Sequence, residues 1–330
     1  MMPRKLLRSL MVGVLLAVLL IFSACQELPP QLSMPMAQQT PSPAPSTTVV
    51  MPIAPKVSQP ELLRHLEALS FERHTDRDRQ QARDYLTQAL KSYGWQTQTQ
   101  AFGKSGVNLI ATRPGADPTA QKILVVAHYD SFLGSPGADD NATGVAAALE
   151  IARLFATSTT RRTLEIVFFD QEERGLLGSI AFTAQADRVK AIAGVINLEM
   201  IGYTCNQPGC QKYPEGIPVS MLSDRGDFLA VVGDQEHPEL LQAFANLPNQ
   251  PFVLTVPIPY KGLLTPDVLR SDHAPFWAQN IGAVMVTDTS YLRNPHYHRA
   301  TDTADTINPT FFSGSAQQVV QALTRLLSQG

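Results

Sequence analysis

Residues 122–179 read KILVVAHYDSFLGSPGADDNATGVAAALEIARLFATSTTRRTLEIVFFDQEERGLLGS. Two runs in this stretch, ILVVA and TLEIVFF, are short, rich in Val, Ile and Phe and almost wholly apolar, as strands covered on both faces must be. Between them GVAAALEIARLFAT has the apolar spacing of a helix. Strand, helix, strand in that order is a parallel crossover unit. Each strand runs out into side chains that bind protons or metals: His128 and Asp130 after the first, the adjacent carboxylates Glu172 and Glu173 after the second. The turn PGADDNATG between them carries Asp139 and Asp140.

The pattern continues in both directions. Upstream, residues 58–69 and 76–94 have helical spacing, QTQTQAF (96–102) alternates like an edge strand, and VNLIATRPG (107–115) reads as a strand ending in a loop. Downstream come a helix in GLLGSIAFTAQA (175–186), a strand in AGVINLEM (193–200) that delivers Glu199, a strand in GAVMVTD (282–288) followed by His296 and His298, and a closing helix over 308–329. The expected fold is α/β, a mostly parallel mixed central sheet flanked by helices on both faces. Residues 204–270 read as irregular, with PELLQAFANL (238–247) the only clear helix, and are expected to form walls around a site.

The chain has 330 residues, 44% hydrophobic and 17% charged, enough to bury a sizeable core. Its net charge of -3 and pI of about 6.2, with no basic run past the N-terminus, exclude nucleic acid as an expected partner, and nothing implies an obligate protein partner. Residues 1–25 have the layout of a secretory signal: Arg4, Lys5 and Arg8, an apolar segment from Leu10 to Phe22, then Ser23 and Ala24 before Cys25. Retention as a membrane anchor is the other fate open to such a segment. Small residues before Cys25 resemble the bacterial lipoprotein signal, in which that cysteine is acylated and anchors an exported protein to a membrane. Residues 26–56, rich in Pro, Ser and Thr, read as a flexible tether, leaving 57–330 as a single domain. Cys205 and Cys210 in CNQPGC are expected to form a local disulfide; a zinc pair is the other reading, without a third or fourth thiol to complete it.

Taken singly, the site residues have ordinary explanations: a satisfied histidine, a solvated EE loop, capping groups for the helix after Asp139 to Thr143. Their joint occurrence at four successive strand ends does not, because ligands in open α/β sheets collect outside the carboxyl ends of the strands. Crowded carboxylates need positive charge, and no Lys or Arg cluster is interleaved with them, so metal ions are the natural counter-charge. Histidine nitrogens mixed with carboxylate oxygens suit zinc, with manganese or cobalt able to use the same ligands. The sequence contains no GxSxG elbow, HExxH, P-loop or GxGxxG. Asn141-Ala142-Thr143 matches a glycosylation site in form only, being set inside the acidic turn.

The segments AHYDS, PGADDNATG, DQEERGLLGS, NLEMIGY, SDHAPFW and NPHYHRATDT resemble, in this order, the co-catalytic di-zinc exopeptidases that include secreted bacterial leucine aminopeptidases; glutaminyl cyclases and glutamate carboxypeptidase are relatives. The likeness covers about residues 70–310. It implies a zinc-dependent aminopeptidase with two Zn2+ and a peptide or aminoacyl substrate. His128 and Glu199 would bind the first metal, Glu173 and His298 the second, and Asp140 would bridge both. Glu172 would be the general base, and Asp130 would orient His128. Many members carry Asp where this chain has Glu199. His296 rivals His298, which the family pattern favours, and Asp272, His273, Tyr203 and Tyr291 are candidate pocket or supporting residues. The alternative is a single-zinc, cyclase-like acyltransferase.

Overall fold

The computed structural model describes residues 53–214 and 223–329. The signal with Cys25 and nearly all of the tether lie outside the described residues. The last tether residues are already fastened to the domain, since Gln317 donates to the Pro55 carbonyl and accepts from the Val57 N–H.

Helices α1 (Gln59–Leu69) and α2 (Asp76–Ser92) come first, capped by Ser58 and Thr75, whose hydroxyls accept N–H groups of the first turns. Then follow β1 (Gln96–Phe102), β2 (Gly106–Arg113), β3 (Lys122–His128), α3 (Gly144–Leu154), β4 (Leu164–Phe169), α4 (Leu177–Thr183), α5 (Ala186–Val189) and β5 (Ile192–Leu198). The second half supplies β6 (Phe228–Asp234), α6 (Pro238–Phe244), β7 (Phe252–Ile258), α7 (Ala274–Ala278), β8 (Ala283–Thr287) and α8 (Pro309–Ser328). Among the described residues no helix is long and apolar enough to cross a membrane.

The strands form one mixed sheet in the order β1-β2-β4-β3-β5-β8-β6-β7. Its centre, β4-β3-β5-β8, is parallel, so four strand ends point the same way. β2 joins this block antiparallel to β4, and β6 joins antiparallel to β8. Successive residues serve opposite faces, as the strand period of two demands. Ile123, Val125 and Ala127 meet α1, α2, α3 and α8 on one side, where all of Gly144 to Ala152 is buried. Leu124, Val126, Val167 and Phe169 meet Phe182 of α4 and Phe276 and Trp277 of α7 on the other.

One expectation needs correction. Residues 204–270 contribute two strands to the sheet, not loops and one helix alone. β6 is buried along its whole length and so lacks the alternation that marks a half-exposed strand. β7 contains Pro257, which lacks an N–H and is tolerated because β7 is the edge strand. The other expected elements are present, with the helix of residues 175–186 broken into α4 and the start of α5.

Candidate metal centre and active site

Four side chains are delivered by the carboxyl ends of the parallel strands. β3 ends on His128, β5 is followed by Glu199, and β4 leads through Gln171 into a tight turn carrying Glu172 and Glu173. The turn is sharp because Gln171 and Leu176 take positive φ, of 60° each, around Gly175 at 98°. After β8 the chain loops through Asn294 to His298. The fifth element is the turn Ala138–Thr143, which lowers Asp140 onto the strand ends.

Two groups of ligand atoms result, His128 with Glu172 and Glu199, and Asp140 with Glu173 and His298, the atoms in each lying within 4.8 Å of one another. Asp140 stands between the groups. Its Oδ1 is 3.3 Å from His128 Nε2 and its Oδ2 is 3.2 Å from His298 Nε2. His128 Nε2 lies 3.5 Å from Glu199 Oε1, and His298 Nε2 lies 3.0 Å from Glu173 Oε2. The extra methylene of Glu199 relative to Asp therefore does not take its carboxylate away from the cluster. Both ring nitrogens of His128, Oδ2 of Asp140 and Oε1 of Glu173 are buried without a hydrogen-bond partner. Such atoms are costly unless something binds them, and their mixed nitrogen and oxygen donors fit zinc.

The electrostatics point the same way. Burial, reinforced by Asp140, pushes Glu173 up to about 8. Burial raises Glu172 well above the usual carboxylate range against the opposing pull of His128, with Glu199 and Asp272 adding to the rise. Burial would raise Asp140 too, but His128 and His298 outweigh it and hold that carboxyl below its ordinary value. His298 is drawn up to about 9, because Asp140 and Glu173 overcome its burial. Acidic groups are thus crowded at the strand ends, an excess that bound cations would offset.

A supporting shell fixes these groups. Asp130 accepts the backbone N–H groups of Glu172 (3.0 Å) and Glu173 (3.3 Å) and lies 3.5 Å from His128 Nδ1, so one carboxylate aligns both strand ends. Asp302 accepts N–H groups of Asp139 (2.9 Å) and Asp140 (3.1 Å). Asn141 is fully buried, donates to the Leu198 carbonyl and accepts from Met200 N, tying the acidic turn to the end of β5 and removing the glycosylation reading. Ser271 donates to Glu199 Oε2 at 2.6 Å and accepts from Asn197 at 2.7 Å. Arg73, buried, donates to the carbonyls of Tyr129, Phe71, Pro136 and Gly137, as well as Leu69, and so joins the His128 and Asp140 loops.

The remaining sequence candidates divide. His296 lies outside both groups, its Nδ1 beside the Thr301 hydroxyl at 2.9 Å. Asp272 and His273 are fully buried and do not line the cavity. Asp272 is without hydrogen-bond partners, and burial pushes it up to about 7, whereas His273 meets the Val268 carbonyl at 2.7 Å. Tyr203 packs edge-on against His296 and is not a cavity residue, but Tyr291 is. Cys205 and Cys210 are joined in a disulfide, which ties a loop near the site and excludes the thiol zinc pair. Sequence reading missed Ser271, Asp302, Arg73, Arg270 and Tyr297. Ser271, Asp302 and Tyr297 sit in segments already singled out for other residues, while nothing in the spacing distinguishes Arg73 or Arg270 from surface arginines.

His298 is sandwiched between Phe132, centroids 4.0 Å apart, and Tyr297, 3.7 Å apart. Asp140, Glu172, Glu173, Glu199 and His298 open into a cavity of about 570 Å³. Its floor is the sheet face left uncovered beyond α4 and α7: Phe228, Ala230 and Val232 of β6, Leu254 and Val256 of β7, and Met285 of β8. A carboxylate and imidazole centre at one end of an apolar cavity can activate water against a bond in a bulky, largely apolar substrate.

The chain is similar to known proteins over most of its length. The uncharacterized protein YfbL of Escherichia coli (strain K12) is 32% identical over 299 residues, 84% of this chain and 90% of that one. Leucine aminopeptidase 1 of Arthroderma otae is 26% identical over 324 residues, covering 82% and 80%. Among solved structures, the Legionella pneumophila LapA aminopeptidase has this fold with a TM-score of 0.66 at 21% identity, over 83% of this chain and 73% of that one. The model of peptidase family M28 matches residues 108–323, which include every residue of both ligand groups, and the chain is a hydrolase belonging to that family.

Proposed function

We propose that the protein is a di-zinc aminopeptidase that removes the N-terminal residue of peptides. The observation that carries this reading is Asp140, whose two oxygens face separate groups of nitrogen and oxygen donors. His128 and Glu199 would hold one zinc, Glu173 and His298 the other, with Asp140 between them. Bound there, the metals would supply Lewis acidity and lower the pKa of water.

The chain's own residues account for the proton transfers. Glu172 takes a proton from the attacking water and returns it to the amine nitrogen as the C–N bond breaks. Glu172 is buried beside the cluster, and Asp130 fixes its backbone. Glu172 also lies within ligand reach of His128 and Glu199, so its uncoordinated role is part of the proposal. The apolar floor would take the first side chain and exclude water.

Hydrolysis of leucine p-nitroanilide and its N-acetyl derivative tests the reading. Release of p-nitroaniline from the free amine only, lost on metal stripping and restored by zinc, is expected. Equal cleavage of the acetylated compound, or turnover indifferent to thorough stripping, would overturn it. One zinc per chain with cyclisation of N-terminal glutamine would instead favour the acyltransferase.

The disulfide fits an oxidising compartment outside the cytoplasm. We place the protein in the cell envelope, lipid-anchored through Cys25. Cys25→Ser should move it from the membrane fraction to the soluble one, and unchanged membrane association would count against acylation.

A further inference from the structure

The ionisable groups lining the cavity are mainly acidic: Asp140, Glu172, Glu173, Glu199 and Asp267. Apart from His298, the only basic side chain lining it among the described residues is Arg270. Other arginines are committed, Arg79 to Asp76 and Asp170, Arg153 to Glu150, Arg161 to Asp117 and Arg73 to backbone carbonyls. Arg270 is exposed and forms no ion pair among the described residues. Its guanidinium lies over the Tyr291 ring, 5.0 Å from the centroid, and beside the Tyr297 hydroxyl. Tyr297 in turn stacks on His298. An exposed arginine resting on a tyrosine is ordinarily a solvated surface group. Here the Tyr291 ring and the Tyr297 hydroxyl hold the planar fork at the cavity wall, one tyrosine away from a proposed metal ligand, with Asp267 in its neighbourhood but not ion-paired to it, so that donors beyond the one at Tyr297 remain for a ligand.

We propose that Arg270 receives a substrate carboxylate, the C-terminal one of a dipeptide, which makes free dipeptides the favoured substrate class. One residue of extended chain spans about 3.3–3.6 Å, the scale of the 3.7 Å step between the His298 and Tyr297 ring centroids, so the C-terminal carboxylate of a dipeptide cleaved beside His298 would lie within about one such step of the cleaved bond. The carboxylate would meet the guanidinium in a two-pronged contact that a longer peptide or a C-terminal amide cannot make. This inference rests on the peptidase reading above.

The test compares kcat/KM for Leu-Phe and Leu-Phe-amide, and for glutamyl and leucyl p-nitroanilides, in zinc-loaded wild type, Arg270→Met and Arg270→Lys. Wild type should prefer the free dipeptide by about 10- to 100-fold, mostly in KM, the range that hydrogen bonds to a charged group supply. Arg270→Met should bring the ratio near one, and Arg270→Lys should restore part of it by charge without the fork. A preference for the glutamyl anilide that disappears in Arg270→Met would keep the carboxylate contact but assign it to a side chain. Hydrolysis with neither preference in wild type, or a preference that survives in Arg270→Met, would overturn the inference and leave the peptidase reading standing. Failure to hydrolyse any of these compounds would remove both.

Discussion

Glu172 and Glu173 are neighbours in sequence and separate in surroundings. The backbone of both is held by Asp130, yet Glu173 faces Asp140 and His298 while Glu172 faces His128 and Glu199. Adjacent positions on a tight turn project their side chains in different directions, which is how one short segment serves two groups. These residues were legible in the sequence because chemistry and position coincide, each lying just past an apolar run. Ser271 was not legible as a functional residue, since a serine beside Asp272 reads equally well as a helix cap. In the fold its hydroxyl orients Glu199. Ser271→Ala is therefore expected to weaken binding of the metal proposed at His128 and Glu199 by about 10- to 100-fold while sparing the one proposed at Glu173 and His298. Chelator competition followed by metal analysis checks this; equal weakening of both metals would show that the hydroxyl acts on the whole turn.

At the level of elements, the parallel centre β4-β3-β5-β8 could be read because its strands are apolar runs bounded by polar turns. β6 and β7 could not: β6 is as continuously buried as β3 and β4 but is set in a stretch otherwise rich in polar residues, Pro and Gly that masks it, and β7 carries Pro257, which argues against a strand anywhere but at an edge. Their placement matters to function, as they carry most of the cavity floor. The pairing of α1 with α2 gives a prediction at this scale. His65 of α1 is buried between the hydroxyls of Tyr85 (2.8 Å) and Tyr93 (3.0 Å), and burial with neighbouring Arg64 lowers its pKa from 6.5 to about 4. The folded state thus favours the neutral ring. Above pH 6.5 this costs nothing; as pH falls from 6.5 towards 4, the unfolded chain binds a proton that the folded chain refuses, and stability declines. A depression of this size corresponds to roughly 3 kcal/mol when complete. Denaturant unfolding of wild type and His65→Gln between pH 7 and pH 4 isolates the effect from that of the carboxylates. Wild type should lose about 3 kcal/mol relative to the variant, whereas parallel pH profiles would show that His65 protonates freely in the fold.

For the molecule as a whole, charge and composition bounded the class but located nothing. The fold brings together groups spread from His128 to His298 because four parallel strands end on one edge and the acidic turn is pinned there by Asp302 and Asn141. Long-range hydrogen bonds of this kind leave no local pattern, which is why the candidate ligands, and Asp130 through the family resemblance, were visible in sequence while Ser271, Asp302 and Arg73 were not. The central claim is the division of labour between the paired glutamates within a two-metal site. It is tested most directly by measuring zinc per chain and leucine p-nitroanilide turnover together for wild type, Glu172→Gln and Glu173→Gln. Wild type should hold two zinc ions. Glu172→Gln should keep both and lose about 10²- to 10⁴-fold in kcat, as expected for loss of a general base, while Glu173→Gln should lose zinc along with activity. Loss of zinc from Glu172→Gln, or full turnover in that variant with its metals in place, would contradict the account.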